Sequence, residues 1–262
     1  MVNRSHGKLY LEDVLTTTIN KGEKVFIPYI MAGDGGLDHF IPTLQKLDQA
    51  GATAIEIGIP FSDPVADGPT IQEASKRAKE HGVTLQAIID ILKQERDTIK
   101  APIIFMTYIN PIYKYGIERL MKEVKEAGVD GLIIPDLPLE HLSLIEDART
   151  KAGIALIQLV SLTSSRKRMK EIASASEGFL YAVTVNGITG ARQSFNEDLQ
   201  EHFNDLKSVS PTPVLAGFGI STKEHVKQMT SFSDGVIVGS QIIKLLQNDD
   251  MGEIKQLIEA KD

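Results

Sequence analysis

The stretch TAIEIGIPFSDPVADGP (53–69) joins a strand pattern to a long polar loop. Its first seven residues are rich in β-branched side chains, which is typical of a buried strand, yet Glu56 lies in their middle. The loop that follows holds two aspartates and three prolines. Burying an unpaired carboxylate is costly, so Glu56 has either a structural partner or a chemical task.

The same strand pattern recurs along the chain. Short β-branched runs bounded by Gly or Pro alternate with amphipathic runs of helical period. Several helical runs end in Ala-Gly just before the next strand, where glycine adopts the left-handed conformation that ends a helix. The strand-like runs lie at 25–31, 53–59, 102–108, 130–136, 154–160, 178–184, 213–218 and 235–240.

The alternation of strands and helices predicts the fold class. It indicates right-handed βαβ units and a parallel sheet. Eight such units in 262 residues favour a closed (β/α)8 barrel, the TIM-barrel fold, over a doubly wound open sheet. We predict one barrel domain over residues 1–262, with residues 1–7 disordered or foreign to the natural chain. The amphipathic run LYLEDVLTTTIN (9–20) is expected to form an N-terminal helix that closes the bottom of the barrel.

The spacing of the strand starts locates the functional loops. Two gaps between consecutive strand starts are longer than the others: from 53 to 102 and from 178 to 213. In a barrel the loops after the strands form the catalytic face. Extended loops after strands 2 and 6 are therefore expected to carry the chemistry.

Composition narrows the class of protein. A net charge of −7 argues against nucleic-acid binding, and the absence of cysteine excludes disulfides, a thiol nucleophile and zinc–thiolate sites. No run approaches the length of about 18 apolar residues that indicates a membrane span, and the N-terminus lacks an apolar signal core. A cytoplasmic protein is predicted.

Histidine and lysine are absent from the predicted strand ends. This disfavours a histidine-based metal site, Schiff-base chemistry and a lysine-bound pyridoxal cofactor. The chain also lacks the GxGxxG pattern after strand 1 and the GxxxxGK[ST] pattern. The chemistry that these exclusions leave open is acid/base catalysis by carboxylates, without a cofactor in this chain.

Glu56 and Asp67 are the catalytic candidates. Strand residues alternate faces, so the β-branched neighbours of Glu56 pack under the helices and Glu56 points into the barrel. Pairing with a polar group from another strand inside the barrel is the structural alternative for Glu56, and turn formation is the alternative for Asp67 and for Asp63. Two carboxylates in different environments can divide the acid and base roles.

Glycine-rich turns follow strands 7 and 8, in AGFGIST (216–222) and VGSQII (238–243). Backbone N–H groups at such turns suit a phosphate dianion, and these loops are the usual phosphate position in a barrel. Tight packing of the turns is the structural alternative. The loop VNGITGARQS (185–194) is predicted to be a lid with glycine hinges, with a plain surface loop as the alternative.

These segments together resemble the tryptophan synthase alpha subunit family, over roughly residues 25 to 245. The segment GIPFSDPVADGPTIQ (58–72) is the most specific of them. The resemblance rests on FIPYIMAGD (26–34), AIEIGIPFSDPVADGPTIQ (54–72), IIPDLP (133–138), NGITG (186–190), AGFGIS (216–221) and GVIVGS (235–240).

The resemblance implies a lyase of L-tryptophan biosynthesis that cleaves indole-3-glycerol phosphate to indole and glyceraldehyde 3-phosphate. Glu56 resembles the family's acid/base, and Asp67 the carboxylate that takes the indole N–H. Thr189 resembles a lid residue that bonds Asp67, and Tyr181 one that lines the indole site. The remaining implied residues are the phosphate cradle, Gly190, Gly219, Gly239 and Ser240, and the pocket lining, Tyr29, Tyr108 and Phe218.

The resemblance also implies a partner. Family members dock on a beta subunit that carries pyridoxal phosphate, in an α2β2 complex, and no cofactor or metal is expected in this chain. The expected contacts are the loop with Asp63, the turn at 110–113 and the corner at 136–138. A stand-alone indole-releasing lyase and a mainly allosteric, partner-activating subunit are the alternatives.

Overall fold

The structure, a computed structural model, describes residues 6–161, 163–183, 193–217 and 219–262, without the side chains of 193–198. Its strands are β1 Val25–Met31, β2 Ile55–Gly58, β3 Ile103–Met106, β4 Gly131–Ile133, β5 Ala155–Ser161, β6 Leu180–Val183, β7 Val214–Gly217 and β8 Gly235–Val238. Its α-helices are α1 Lys8–Asn20, α2 Phe40–Gln49, α3 Pro69–Glu80, α4 Leu85–Glu95, α5 Ile109–Tyr115, α6 Ile117–Glu126, α7 Glu146–Ala152, α8 Arg166–Ala175, α9 Gln193–Val209, α10 Lys223–Thr230, α11 Ser240–Gln247 and α12 Met251–Glu259.

The strands close into a barrel. Each strand pairs in parallel with the next one along the chain, and β8 pairs with β1 through the register Val25 to Gly235. This confirms the predicted (β/α)8 barrel and rules out the open doubly wound sheet. One hydrophobic cluster extends from Leu11 in α1 to Ile258 in α12, which supports our proposal of a single domain.

Each predicted strand run overlaps one observed strand, and most observed strands are shorter; β5 extends one residue beyond its predicted run, to Ser161. β1 matches its predicted bounds, whereas β4 ends at Ile133 instead of residue 136. Pro135 has no N–H with which to continue the ladder. The carboxylate of Asp136 turns away to accept a hydrogen bond from the Ile109 N–H, at 2.9 Å.

The N-terminal helix α1 packs across the bottom of the barrel, as predicted. Leu11 and Leu15 on its inner face are fully buried. Leu11 lies so close to Gly131 and Gly178 that a β-carbon on either glycine would stand 3.2 or 2.8 Å from it. Glycine at these two positions therefore makes room for the leucine that fills the barrel floor.

A buried carboxylate ties α1 to the strands. Asp130 accepts hydrogen bonds from the backbone N–H groups of Gly7 (2.6 Å) and Ile103 (2.8 Å) and from the Arg96 guanidinium (3.0 Å). Gly7 has a φ of 117°, which other residues rarely adopt. Asp130 thus links the start of α1 to β3 and to the segment before β4, at the end of the barrel opposite the functional loops.

Candidate active site

Glu56 lies in the middle of β2 and is 3% exposed. It pairs in register with Tyr29 of β1 and Ile104 of β3. Its Oε2 atom has no hydrogen-bond partner among the described residues. Burial, with a smaller contribution from the charge of Asp67, raises the pKa of Glu56 to about 8. At neutral pH this side chain is therefore mainly protonated.

Asp67 lies in the loop between β2 and α3, and it is half-buried. The Tyr108 hydroxyl accepts a hydrogen bond from the Ala66 N–H (3.1 Å) and also bonds the Asp67 side chain. Burial raises the pKa of Asp67 to about 6, and the Tyr108 hydrogen bond opposes that rise. At neutral pH Asp67 is mainly ionised, in contrast to Glu56.

Both carboxylates face one cavity of about 290 Å³. Of the residues predicted for the site, its lining brings together Tyr29, Glu56, Asp67, Tyr181, Gly219, Gly239 and Ser240. The carboxylates and tyrosines come from β1, β2, β6 and the loop after β2, and the last three residues from the turns after β7 and β8. The cavity therefore has an acidic, aromatic end and a glycine-rich end.

The other predicted site residues have different positions. Tyr108 is not among the residues that line the cavity; it is buried behind Asp67, and its ring stacks on Phe61 with 5.3 Å between centroids. Thr189, Gly190 and Phe218, as well as the predicted lid at 185–194 up to residue 192, lie outside the described residues.

Two glycines make room for the two tyrosines of the cavity. A β-carbon on Gly58 would overlap the Tyr29 ring, and one on Gly217 would overlap the ring of Tyr181. Burial raises the pKa of both phenols well above the usual value of 10. Both hydroxyls are therefore neutral hydrogen-bond donors at physiological pH.

The glycine-rich end is built for an anion. Gly219 has a φ of 75°, in the region that favours glycine. Ser240 begins α11 directly after Gly239. The first N–H groups of a helix have no partner within the helix and carry partial positive charge. The start of α11 therefore offers donors to a bound phosphate.

The sequence patterns do not predict Lys244 and His225, which also line the cavity. Lys244 lies one helical turn after Ser240 on α11, so its side chain leans back towards the start of that helix. Residues four apart on a helix share a face, and this spacing from Ser240 is the signal that could reveal Lys244.

A larger groove of about 690 Å³ lies elsewhere, between α2, α3 and α11. Its charged groups are paired with one another: Arg77 bonds Asp34 at 2.7 Å, and Lys46 lies 3.2 Å from Asp249. The smaller cavity holds the carboxylates with raised pKa, so we place the candidate active site there.

Two further kinds of feature are absent from residues 6–161, 163–183, 193–217 and 219–262. Within them, no group of three or more His, Asp or Glu side chains is placed to hold a metal ion. No helix in the described part of the chain has the length and apolar character needed to cross a membrane.

Known proteins resemble this chain over nearly its whole length. Residues 15–261 match the model of the family "Tryptophan synthase alpha chain". The tryptophan synthase alpha chain of Bacillus thuringiensis subsp. konkukian (strain 97-27) is 50% identical over 246 residues, which cover 94% of this chain and 95% of that protein. The alpha chain of Bacillus cereus (strain ATCC 14579) is 51% identical over the same share of both chains.

Solved structures agree with these relatives. Tryptophan synthase subunit alpha from Legionella pneumophila str. Paris superposes with a TM-score of 0.86 at 33% identity, over 96% of each chain. A chain of tryptophan synthase from M. tuberculosis in an open form gives a TM-score of 0.85 at 27% identity, also over 96% of each chain. The family predicted from the sequence motifs is confirmed: the chain belongs to the tryptophan synthase alpha chain family.

Proposed function

We propose that this chain cleaves indole-3-glycerol phosphate to indole and glyceraldehyde 3-phosphate by a retro-aldol reaction. One observation carries the proposal: two carboxylates face the same cavity with pKa values on opposite sides of neutrality, about 8 for Glu56 and about 6 for Asp67. Such a pair supplies one proton donor and one anion at the same pH.

In the first step, protonated Glu56 donates its proton to carbon C3 of the indole ring. The positive charge that develops at the ring nitrogen is stabilised by ionised Asp67, which accepts a hydrogen bond from the indole N–H. Tyr108 holds Asp67 for this task, because its hydrogen bond favours the charged form of the carboxyl group.

In the second step, Glu56 is a carboxylate and accepts the proton of the hydroxyl on the carbon attached to C3. The bond between that carbon and C3 breaks, its electron pair returns to the ring and neutralises the nitrogen, and the hydroxyl oxygen becomes the aldehyde oxygen. Glu56 ends protonated, as it began, so the cycle needs no cofactor from this chain.

The phosphate group is proposed to lie at the glycine-rich end, against Gly219, Gly239 and Ser240. The start of α11 supplies N–H donors and a favourable dipole for it. Binding the phosphate at this end directs the indole ring towards Glu56 and Asp67 at the other end.

We infer that the partner is a beta subunit that holds pyridoxal phosphate and consumes the indole, in an α2β2 complex. Two exposed apolar side chains support a docking surface: Val65 (82% exposed) in the loop after β2, and Tyr113 (74% exposed) at 110–113, a segment predicted as a turn that forms part of helix α5. The corner at 136–138 is proposed to complete this surface. We place the reaction in the cytoplasm.

The first experiment measures indole release from indole-3-glycerol phosphate by the purified chain, alone and with a beta subunit. Slow release that rises strongly with the partner is the expected result. Fast release that the partner leaves unchanged would indicate a stand-alone lyase. No release in either mixture would refute the proposal, and a partner whose own reaction still runs faster with this chain would then favour the mainly allosteric subunit.

The variant Glu56→Gln is expected to lower kcat by at least about a thousandfold, because glutamine neither donates nor accepts the transferred proton. Affinity for glycerol phosphate, measured by calorimetry, should stay within about twofold, since the turns after β7 and β8 are untouched. Glu118→Gln, at an exposed position on α6, is the matched control. Parallel loss of turnover and phosphate affinity would make Glu56 structural.

A further inference from the structure

Tyr29 carries a buried hydroxyl group that packing alone does not explain. The residue is 3% exposed on β1, lines the cavity and is paired in register with Glu56. No described residue forms a hydrogen bond with its hydroxyl oxygen. A buried hydroxyl without a partner costs stability, so it requires an explanation.

The space beside Gly58 accommodates the edge of the Tyr29 ring and its hydroxyl, and phenylalanine would keep the ring in the same place. Gly58 has no side chain where the Tyr29 ring passes, so the backbone of β2 is shaped around that ring. Phenylalanine would retain this contact and avoid the cost of the unpaired hydroxyl. The hydroxyl therefore lowers the stability of the ligand-free fold, and it is present in a site where a ligand can form a hydrogen bond with it.

The position of the hydroxyl identifies the ligand atom. Tyr29 and Glu56 lie at the same level of adjacent strands, and both Tyr29 OH and Glu56 Oε2 lack partners among the described residues. In the proposed reaction, Glu56 takes a proton from the substrate hydroxyl that becomes the aldehyde. The Tyr29 hydroxyl itself lies over Gly58, the next residue of β2 on the same face as Glu56 and nearer the mouth of the cavity. A substrate oxygen held between Glu56 and the mouth therefore faces this hydroxyl.

We propose that the Tyr29 hydroxyl donates a hydrogen bond to the oxygen of the substrate hydroxyl that Glu56 deprotonates. The inference rests on the proposed function. As the proton moves to Glu56, negative charge grows on the oxygen, and the hydrogen bond strengthens until the carbon–carbon bond breaks. An interaction that strengthens in the transition state raises kcat more than it lowers KM.

The protonation state of Tyr29 agrees with this task. Burial and the charges of Asp67 and Glu56 raise the pKa of its phenol well above 10. The hydroxyl stays protonated throughout the cycle and donates a hydrogen bond without transferring its proton. Glu56 remains the group that moves protons.

The test is Tyr29→Phe in the full chain, with the beta subunit present for turnover. We expect kcat to fall about tenfold, the loss of one hydrogen bond to a developing charge. Affinity for 3-(indol-3-yl)propyl phosphate, which lacks both glycerol hydroxyls, should stay within about twofold. The Tm of the ligand-free variant should rise, because an unpaired buried hydroxyl has been removed. Tyr10→Phe, in α1 at the opposite end of the barrel, is the control for the same chemical change, and its kcat should equal that of the unchanged chain.

A kcat equal to that of the unchanged chain would overturn the inference, and so would a fall in Tm of the ligand-free variant, which would mean a structural role. Weaker binding of the propyl phosphate in step with the loss of kcat would also overturn it, because that probe has no hydroxyl for Tyr29 to bond. If the unchanged chain itself releases no indole, the proposed function fails and this inference fails with it.

Discussion

Glu56 and Asp67 differ in burial and in hydrogen bonding, and both differences bear on their pKa values. The Tyr108 hydroxyl bonds Asp67 and favours its charged form, whereas Oε2 of Glu56 has no partner among the described side chains and backbone groups. Burial acts on both carboxyl groups in the same direction. The separation of their pKa values therefore follows mainly from the fuller burial of Glu56 and the charge of Asp67 beside it. Tyr108, a residue that is not itself on the cavity wall, adds to it through its hydrogen bond to Asp67.

Glu56 should make the fold less stable as the pH rises. Its folded-state pKa is about 8, against the usual value of 4.5, so the folded chain holds more protons than the unfolded chain between these values. The free energy of unfolding then falls as pH rises through this window. Glu56→Gln removes this dependence. The free energy of unfolding of the variant minus that of the unchanged chain, measured by urea denaturation, should therefore increase from pH 5 to pH 9. A constant difference would show that Glu56 titrates normally.

At the scale of the elements, periodicity carries most of the information. Strands were predictable because Gly and Pro bound the β-branched runs, and the inward direction of Glu56 follows from the alternation of strand faces. The position of Lys244 on the cavity wall could not be predicted, because it depends on the direction of α11 relative to the barrel. The place of Tyr108 behind Asp67 depends in the same way on how the loop after β2 folds over β3.

Helix α11 brings a positive charge to the phosphate end. Lys244 is the one lysine or arginine that lines the cavity in the described ranges, and it has no ion pair within them. Lys244→Met should raise KM for indole-3-glycerol phosphate about threefold, the size expected for an exposed ion pair, with a smaller change in kcat. Lys255→Met on α12 removes the same charge away from the site. An equal effect of both variants would assign the change to net charge.

At the scale of the whole molecule, the two ends of the barrel are divided between chemistry and stability. The cavity lies at the ends of the strands, and the Asp130 network lies at their starts. Contacts such as Gly7 with Asp130 join residues more than a hundred positions apart in the chain. No periodicity connects such residues, so this network could not be predicted from the sequence.

Asp130→Ala should destabilise the fold without changing the chemistry. The variant leaves the Arg96 guanidinium, which is 4% exposed, without its carboxylate, and removes the acceptor of the Gly7 N–H. We expect the free energy of unfolding to fall by about 3–5 kcal/mol in urea denaturation, with kcat retained at low temperature. Asp90→Ala, at an exposed position on α4, is the control. A large loss of kcat in a folded Asp130→Ala chain would contradict the division of the two ends.

The contacts of α1 also set an order of events during translation. The ribosome makes α1 before any strand of the barrel, but Lys8 bonds Gly153 and Glu177, which are synthesised much later. Until those residues are made, Leu11 and Leu15 have no barrel to pack against. The nascent chain therefore exposes an apolar helix face that chaperones can bind. The seam between β1 and β8 closes later still, when residues 235–238 have left the exit tunnel. Helix α1 is thus made before the barrel strands but reaches its final place only after most of them.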